Sequence, residues 1–122
     1  MAIAAAVIAA ILPGAAAEAR PAPGLTRLLV RGEEFNLLLS QLKLDPGNAI
    51  VQFHNAGEDP HDLWVQRVGD PQQHSIGELA PGDVGELNLR LARDSRYELW
   101  CSLPNHRELG MDASVRVRRK RR

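Results

Sequence analysis

Tyr97-Glu98-Leu99-Trp100-Cys101-Ser102-Leu103-Pro104-Asn105-His106-Arg107-Glu108-Leu109-Gly110-Met111 contains the only cysteine of this 122-residue chain. Tyr97, Leu99 and Cys101 alternate with Glu98 and Trp100, the period of a strand, so the Cys101 sulfur points to the apolar face. Pro104-Asn105 is a turn signal, and it allows the chain to fold back so that Cys101, His106 and Met111 converge. A second histidine, His61, follows Pro60 and opens another alternating run on its inward face, His61, Leu63 and Val65. Four candidate ligands therefore sit at strand ends or in one connecting loop, which is where a rigid scaffold presents a site.

Two imidazoles, one thiolate and one thioether form a mixed soft and borderline donor set. Two histidines and a cysteine in a trigonal array, with a weak axial methionine, make the blue-copper electron-transfer type of site. Four protein ligands leave no open position for a substrate, which argues against hydrolysis or oxygenation. A Cys–His nucleophile would also need an open pocket and an orienting third group. Ligation also protects a lone thiol that no partner cysteine can pair. His54 and His74 carry no partner signal and are expected at the surface.

The same period recurs outward from this segment. Val51, Phe53 and Asn55 share a face, as do Leu87, Leu89 and Leu91, and Met111, Ala113, Val115 and Val117. The opposite faces hold Gln52, Asp62, Gln66, Glu86, Asn88, Arg90, Glu98, Ser114 and Arg116, and two aromatics, Trp64 and Trp100. The tryptophans either cover each other across neighbouring strands or mark a contact surface. Strands are predicted over residues 26–31, 35–44 (with a bend), 49–55, 61–68, 75–79, 84–91, 97–101 and 111–118. Turns at Asp45-Pro46-Gly47-Asn48, Glu58-Asp59-Pro60, Gly69-Asp70-Pro71 and Ala80-Pro81-Gly82-Asp83 separate them. Seven or eight short strands at this spacing predict an all-β sandwich or barrel. No window sustains a helical period.

Residues 26–118, and above all 97–111, resemble the blue copper proteins of the cupredoxin family. That resemblance implies a Greek-key β-sandwich, one copper ion and one-electron transfer to redox partner proteins. It identifies Cys101 as the equatorial thiolate, His61 and His106 as the equatorial imidazoles, and Met111 as the axial ligand. The spacings from Cys101 to His106 and on to Met111 resemble the longer rusticyanin-type loop. One departure is Asp62, where the family commonly places Asn after the first ligand histidine. Asp62 can accept bonds from the backbone around Ser102 but cannot donate through an amide. A copper carrier using the same ligands without rapid electron exchange is the alternative reading.

Residues 1–19 differ from the rest. Met1 to Leu12 is almost wholly Ala, Ile and Val, and Ala17-Glu18-Ala19 resembles a cleavage site. The run is too short to span a bilayer. A signal peptide is expected over 1–19, a copper-binding domain over 20–118 and a basic tail over 119–122. A membrane anchor and an unstructured leader are the other readings of the first segment. Export to the periplasm or the extracellular space follows from the first reading, and membrane association from the second. The length supports one domain, expected as a monomer. Beyond residue 19 the charges are poorly mixed: six basic residues fall within 116–122, leaving nine basic and fourteen acidic groups in 20–115. The tail reads either as a solvated end or as a contact for an anionic partner. No nucleic-acid module or aromatic interleaving accompanies it.

Overall fold

A computed structural model describes residues 24–122 together with Ala10 and Gly14. The expected leader over 1–19 otherwise lies outside the described residues. Among them, the strands run β1 (Thr26–Glu33), β2 (Asn36–Leu39), β3 (Lys43–Leu44), β4 (Gly47–Asn55), β5 (His61–Arg67), β6 (Gln73–Leu79), β7 (Val84–Leu91), β8 (Ser95–Trp100) and β9 (Asp112–Val117). A single helical turn, α1 (His106–Leu109), interrupts the connection between β8 and β9.

The strands form two sheets, one in the order β2-β1-β4-β7 and the other β3-β9-β8-β5-β6. Strands β1 and β4 pair in parallel, as do β3 and β9, and every other pairing is antiparallel. The chain passes repeatedly from one sheet to the other, which makes a sandwich with Greek-key character rather than a meander. The inward residues of both sheets meet in one core that includes Leu28, Val30, Val51, Phe53, Leu63, Val65, Leu99 and Val115. Each such side chain fully withdrawn from water contributes about 1.5–3 kcal/mol.

The segment expected as one bent strand over 35–44 is two strands in different sheets. Leu39 pairs with Val30 in the first sheet, whereas Lys43 and Leu44 pair with Arg116 and Val117 in the second. Ser40-Gln41-Leu42 is the crossing between them, held by the Gln41 side-chain amide on the Arg27 carbonyl at 2.6 Å. The crossing raises the number of described strands to nine.

Strand direction sorts the loops into two ends. At one end β1 stops at Glu33, β5 starts at His61, β8 stops at Trp100 and β9 starts at Asp112. At the other lie the start of β1, the turn after β5, the connection from β7 to β8 and the end of β9. The predicted ligands all fall at the first end.

Candidate metal centre

Three backbone devices build the ligand loop. The Cys101 N–H donates to the Met111 carbonyl at 3.1 Å, joining the loop's two ends. The Met111 N–H in turn donates to the His106 carbonyl at 3.0 Å. Between them α1 is capped by Asn105 in the left-handed region and closed by Gly110 at φ 130. A side chain at Gly110 would also bring a Cβ within 2.4 Å of the Phe35 carbonyl oxygen. Glycine is therefore required there for both conformation and space. Loop 101–111 folds back because these bonds satisfy its own polar groups.

His61 is placed by the other sheet strand and by the loop before it. Asn55, wholly buried at the end of β4, donates from its amide to the carbonyls of Asp59 and Leu79, each at 2.9 Å. Its side-chain oxygen accepts from the Gly57 N–H at 3.0 Å. This one side chain thus fixes the turn that delivers His61 into the sandwich.

Three of the sequence-predicted ligands, His61, Cys101 and His106, converge, and Met111 is buried at the same end of the sandwich. His61, Cys101 and Met111 have no exposed surface, and His106 is half-buried. His61 Nδ1 lies 3.1 Å from His106 Nδ1, and Cys101 Sγ lies 3.6 Å from His106 Nδ1 and 4.0 Å from His61 Nδ1. Those edges define an acute triangle whose centre is about 2.1 Å from each atom, close to the ~2.0–2.3 Å bonds that imidazole nitrogen and thiolate sulfur make to a first-row metal ion. The three donor atoms lie within 4.8 Å of one another, close enough for one metal ion to be held between them. The Met111 chain packs against the same end of the core, its methyl 3.4 Å from where a Cβ on Gly32 would stand. A Cβ at Gly32 would also drive into the Phe53 ring at 2.7 Å, so glycine there keeps room for both neighbours. His54 and His74 stand apart as half-buried side chains on β4 and β6.

Sequence reasoning missed Glu34. From the turn between β1 and β2, Glu34 Oε1 accepts from His61 Nε2 at 2.9 Å and from the backbone N–H groups of Asp59 and Glu58 at 2.7 and 2.8 Å. The Asp59 N–H above all, and then the His61 ring, hold the Glu34 carboxyl well below the usual range, at about 2. A carboxylate on the far ring nitrogen keeps the proton on Nε2, leaving Nδ1 as a lone-pair donor aimed at the triangle. No motif surrounds Glu34 that would have singled it out.

Asp62 lies on the face opposite His61 and Leu63, the face of Trp64, as its alternation predicts, yet it is buried because the Ser102 loop and the Trp64 ring cover it there. Its carboxylate accepts from the Ser102 N–H at 2.7 Å, from the Ser102 hydroxyl, and from Trp64 Nε1 at 3.1 Å. The strand carrying His61 and the loop carrying Cys101 are thereby joined by backbone acceptance, as the sequence suggested. Trp64 and Trp100 are direct partners across β5 and β8, and the Arg107 guanidinium lies 4.5 Å over the Trp100 ring. Burial pushes the Cys101 thiol above its ordinary value. Phe35 meets the His106 ring edge-on at 5.1 Å between centroids.

No family model matches the sequence, and no curated protein matches it. Solved structures do. An auracyanin from Roseiflexus castenholzii superposes with a TM-score of 0.63 at 16% identity, over 75% of this chain and 95% of that one. Auracyanin B gives 0.63 at 19% identity, over 81% of this chain and 92% of the other. Auracyanin A from Chloroflexus aurantiacus, described as a blue copper protein, gives 0.55 at 17% identity over 77% and 99%. The fold is thus the cupredoxin β-sandwich, spanning nearly the full length of these small proteins.

Proposed function

We propose that this protein is a one-electron carrier whose redox centre is a single type 1 copper ion held by His61 Nδ1, His106 Nδ1, Cys101 Sγ and, axially, Met111. The observation that carries this reading is the triangle of 3.1, 3.6 and 4.0 Å between the two imidazole nitrogens and the buried sulfur. Copper in such a site exchanges one electron between Cu(II) and Cu(I). The chain's own residues hold the donors in place: backbone bonds close loop 101–111, Asp62 ties it to β5, and Glu34 orients His61. Enclosed donors limit rearrangement when the electron arrives or leaves. They also favour retention over hand-over, which separates this reading from a copper-delivery role. With all four positions supplied by the protein, no place remains for a small-molecule substrate.

Among the donors, His106 alone reaches the surface, flanked by half-buried Leu103 and by Leu109, which is 57% exposed. That rim permits close approach of a redox partner protein. The leader over 1–19 supports work outside the cytoplasm, and no described helix is long and apolar enough to cross a membrane.

Copper loading of the purified protein, with metal analysis and a visible spectrum, tests the reading. One copper per chain with an intense thiolate charge-transfer band is expected, together with reversible one-electron voltammetry. Stoichiometric zinc with no coloured copper complex after loading overturns it. Irreversible or sluggish redox cycling of a coloured complex would favour the carrier.

A further inference from the structure

The end of the sandwich opposite the donors gathers positive charge from four separate segments. Arg67 at the end of β5, Arg93 in the β7–β8 connection, Arg96 on β8 and Arg116 on β9 line one surface cleft. The tail Arg118-Arg119-Lys120-Arg121-Arg122 leaves β9 at the same end. Against these nine cations stand Asp45, Asp70 and Asp94. Asp45 is engaged with Arg118 at 3.2 Å and Asp70 with Arg67 at 3.0 Å.

Strand register makes this more than a basic tail. Lys43, Arg116 and Arg96 are direct neighbours across β3, β9 and β8, all exposed on the outer face. Like charges placed directly opposite on adjacent strands are destabilising. A row of three with no carboxylate between them is relieved by an anionic surface laid over it. Guanidinium groups suit phosphate in particular, since their planar forks bond two oxygens at once.

The chain also enters the fold at this end. Gly24 stands against the Arg121 guanidinium, whose carbon would lie 3.7 Å from a Cβ there. Upstream of Gly24 the sequence carries Arg20 and, beyond it, the apolar run of residues 1–12. Clustered arginines of this kind draw a peripheral protein onto an anionic bilayer. The acidic groups fall mostly elsewhere, with Glu34, Glu58, Asp59, Glu108 and Asp112 around the donor end.

We propose that the arginine-rich end docks on anionic phospholipid, standing the sandwich upright with the His106 rim facing away from the membrane. Lipid-bound protein would then offer its redox face to partners while its basic end stays occupied.

Flotation of the full chain with vesicles of phosphatidylcholine alone, and with about one third phosphatidylglycerol, tests this directly. The readout is the ratio of affinities for anionic over neutral vesicles, which removes any contribution of the apolar run. It is expected to exceed tenfold at low salt, to collapse at high salt, and to fall about fivefold for each arginine removed, in Arg96→Gln, Arg116→Gln and the double variant. The variants should unfold at or above the wild-type temperature, since each removes a repulsion, so lost binding would not reflect lost folding. A ratio near one for the wild type, or one untouched by either substitution, overturns the proposal. Binding of poly-glutamate with no preference for anionic vesicles overturns it in favour of an acidic protein. None of these outcomes depends on copper, so the docking proposal and the electron-carrier reading fail separately.

Discussion

Glu34 and His61 are 27 residues apart in sequence, yet the Glu34 carboxylate meets His61 Nε2 at 2.9 Å. The ring is held from behind by a group that also accepts two backbone N–H bonds from the turn before it. With copper held as proposed, its negative charge would bear on the metal through the ring and favour Cu(II) over Cu(I).

Glu34→Gln should therefore raise the reduction potential while leaving copper bound. The amide oxygen can still accept from Glu58 and Asp59, so the turn persists while the charge is lost. A tenfold loss of Cu(II) affinity relative to Cu(I) corresponds to about 59 mV for one electron. Glu34→Asp should restore part of the charge effect if the shorter chain still reaches the ring. Voltammetry showing the same potential in Glu34→Gln and wild type would remove Glu34 from the tuning of the site.

Copper uptake should release the Cys101 proton. Burial raises the thiol above its ordinary value, so the metal-free residue is protonated near neutrality and must ionise on binding. Where the thiol proton is the one displaced, affinity should climb by about tenfold per pH unit until the thiol value is reached. Chelator competition at several pH values measures the slope. Cys101→Ser should abolish the charge-transfer band at every pH.

Met111→Leu should keep copper and raise the potential, because the axial thioether is lost while three equatorial donors remain. Leucine and methionine are close in volume, so folding should suffer by less than about 1.5 kcal/mol. An unchanged spectrum together with an unchanged potential would mean that Met111 is packing and not a ligand.

Asp62→Ala should destabilise the fold by roughly 1.5–3 kcal/mol, the net worth of hydrogen bonding to a charged acceptor, because the Ser102 N–H and Trp64 Nε1 both lose the carboxylate they donate to. Asp62→Asn should recover much of this, since its oxygen can still accept. Urea unfolding of the metal-free forms reads both. Equal midpoints for Asp62→Ala and wild type would show that water replaces the carboxylate.

Leu109→Asp, on the exposed rim beside His106, should slow electron exchange with a physiological partner while sparing the visible spectrum. Stopped-flow rates that match the wild type would move the docking surface elsewhere, with Trp64 and Arg107-covered Trp100 the next place to look.

Most of the strands were legible because each has one wet face, and alternation between Phe53 and Gln52 or Leu89 and Arg90 marks it. The ligand loop was legible because its donors lie close together in sequence with a turn between them. The burial of Asp62 was not legible because alternation gives the face of a residue but not the loop that folds over it, here the one carrying Ser102. The bent strand over 35–44 failed differently: a change of sheet leaves no mark on hydrophobic alternation. Glu34 was invisible because a lone carboxylate in a turn looks solvated until the distant turn 57–59 is folded against it.

The bond from the Cys101 N–H to the Met111 carbonyl turns the ligand loop into a closed ring hung from the ends of β8 and β9. A ring closed on itself can gain or lose residues without shifting the register of the strands that suspend it. Donor spacing and sandwich are therefore separate variables, open to change one at a time. His61, fixed on β5, is the datum in this design: whatever the ring's size, its imidazole and thiolate must still come to rest against that one stationary nitrogen.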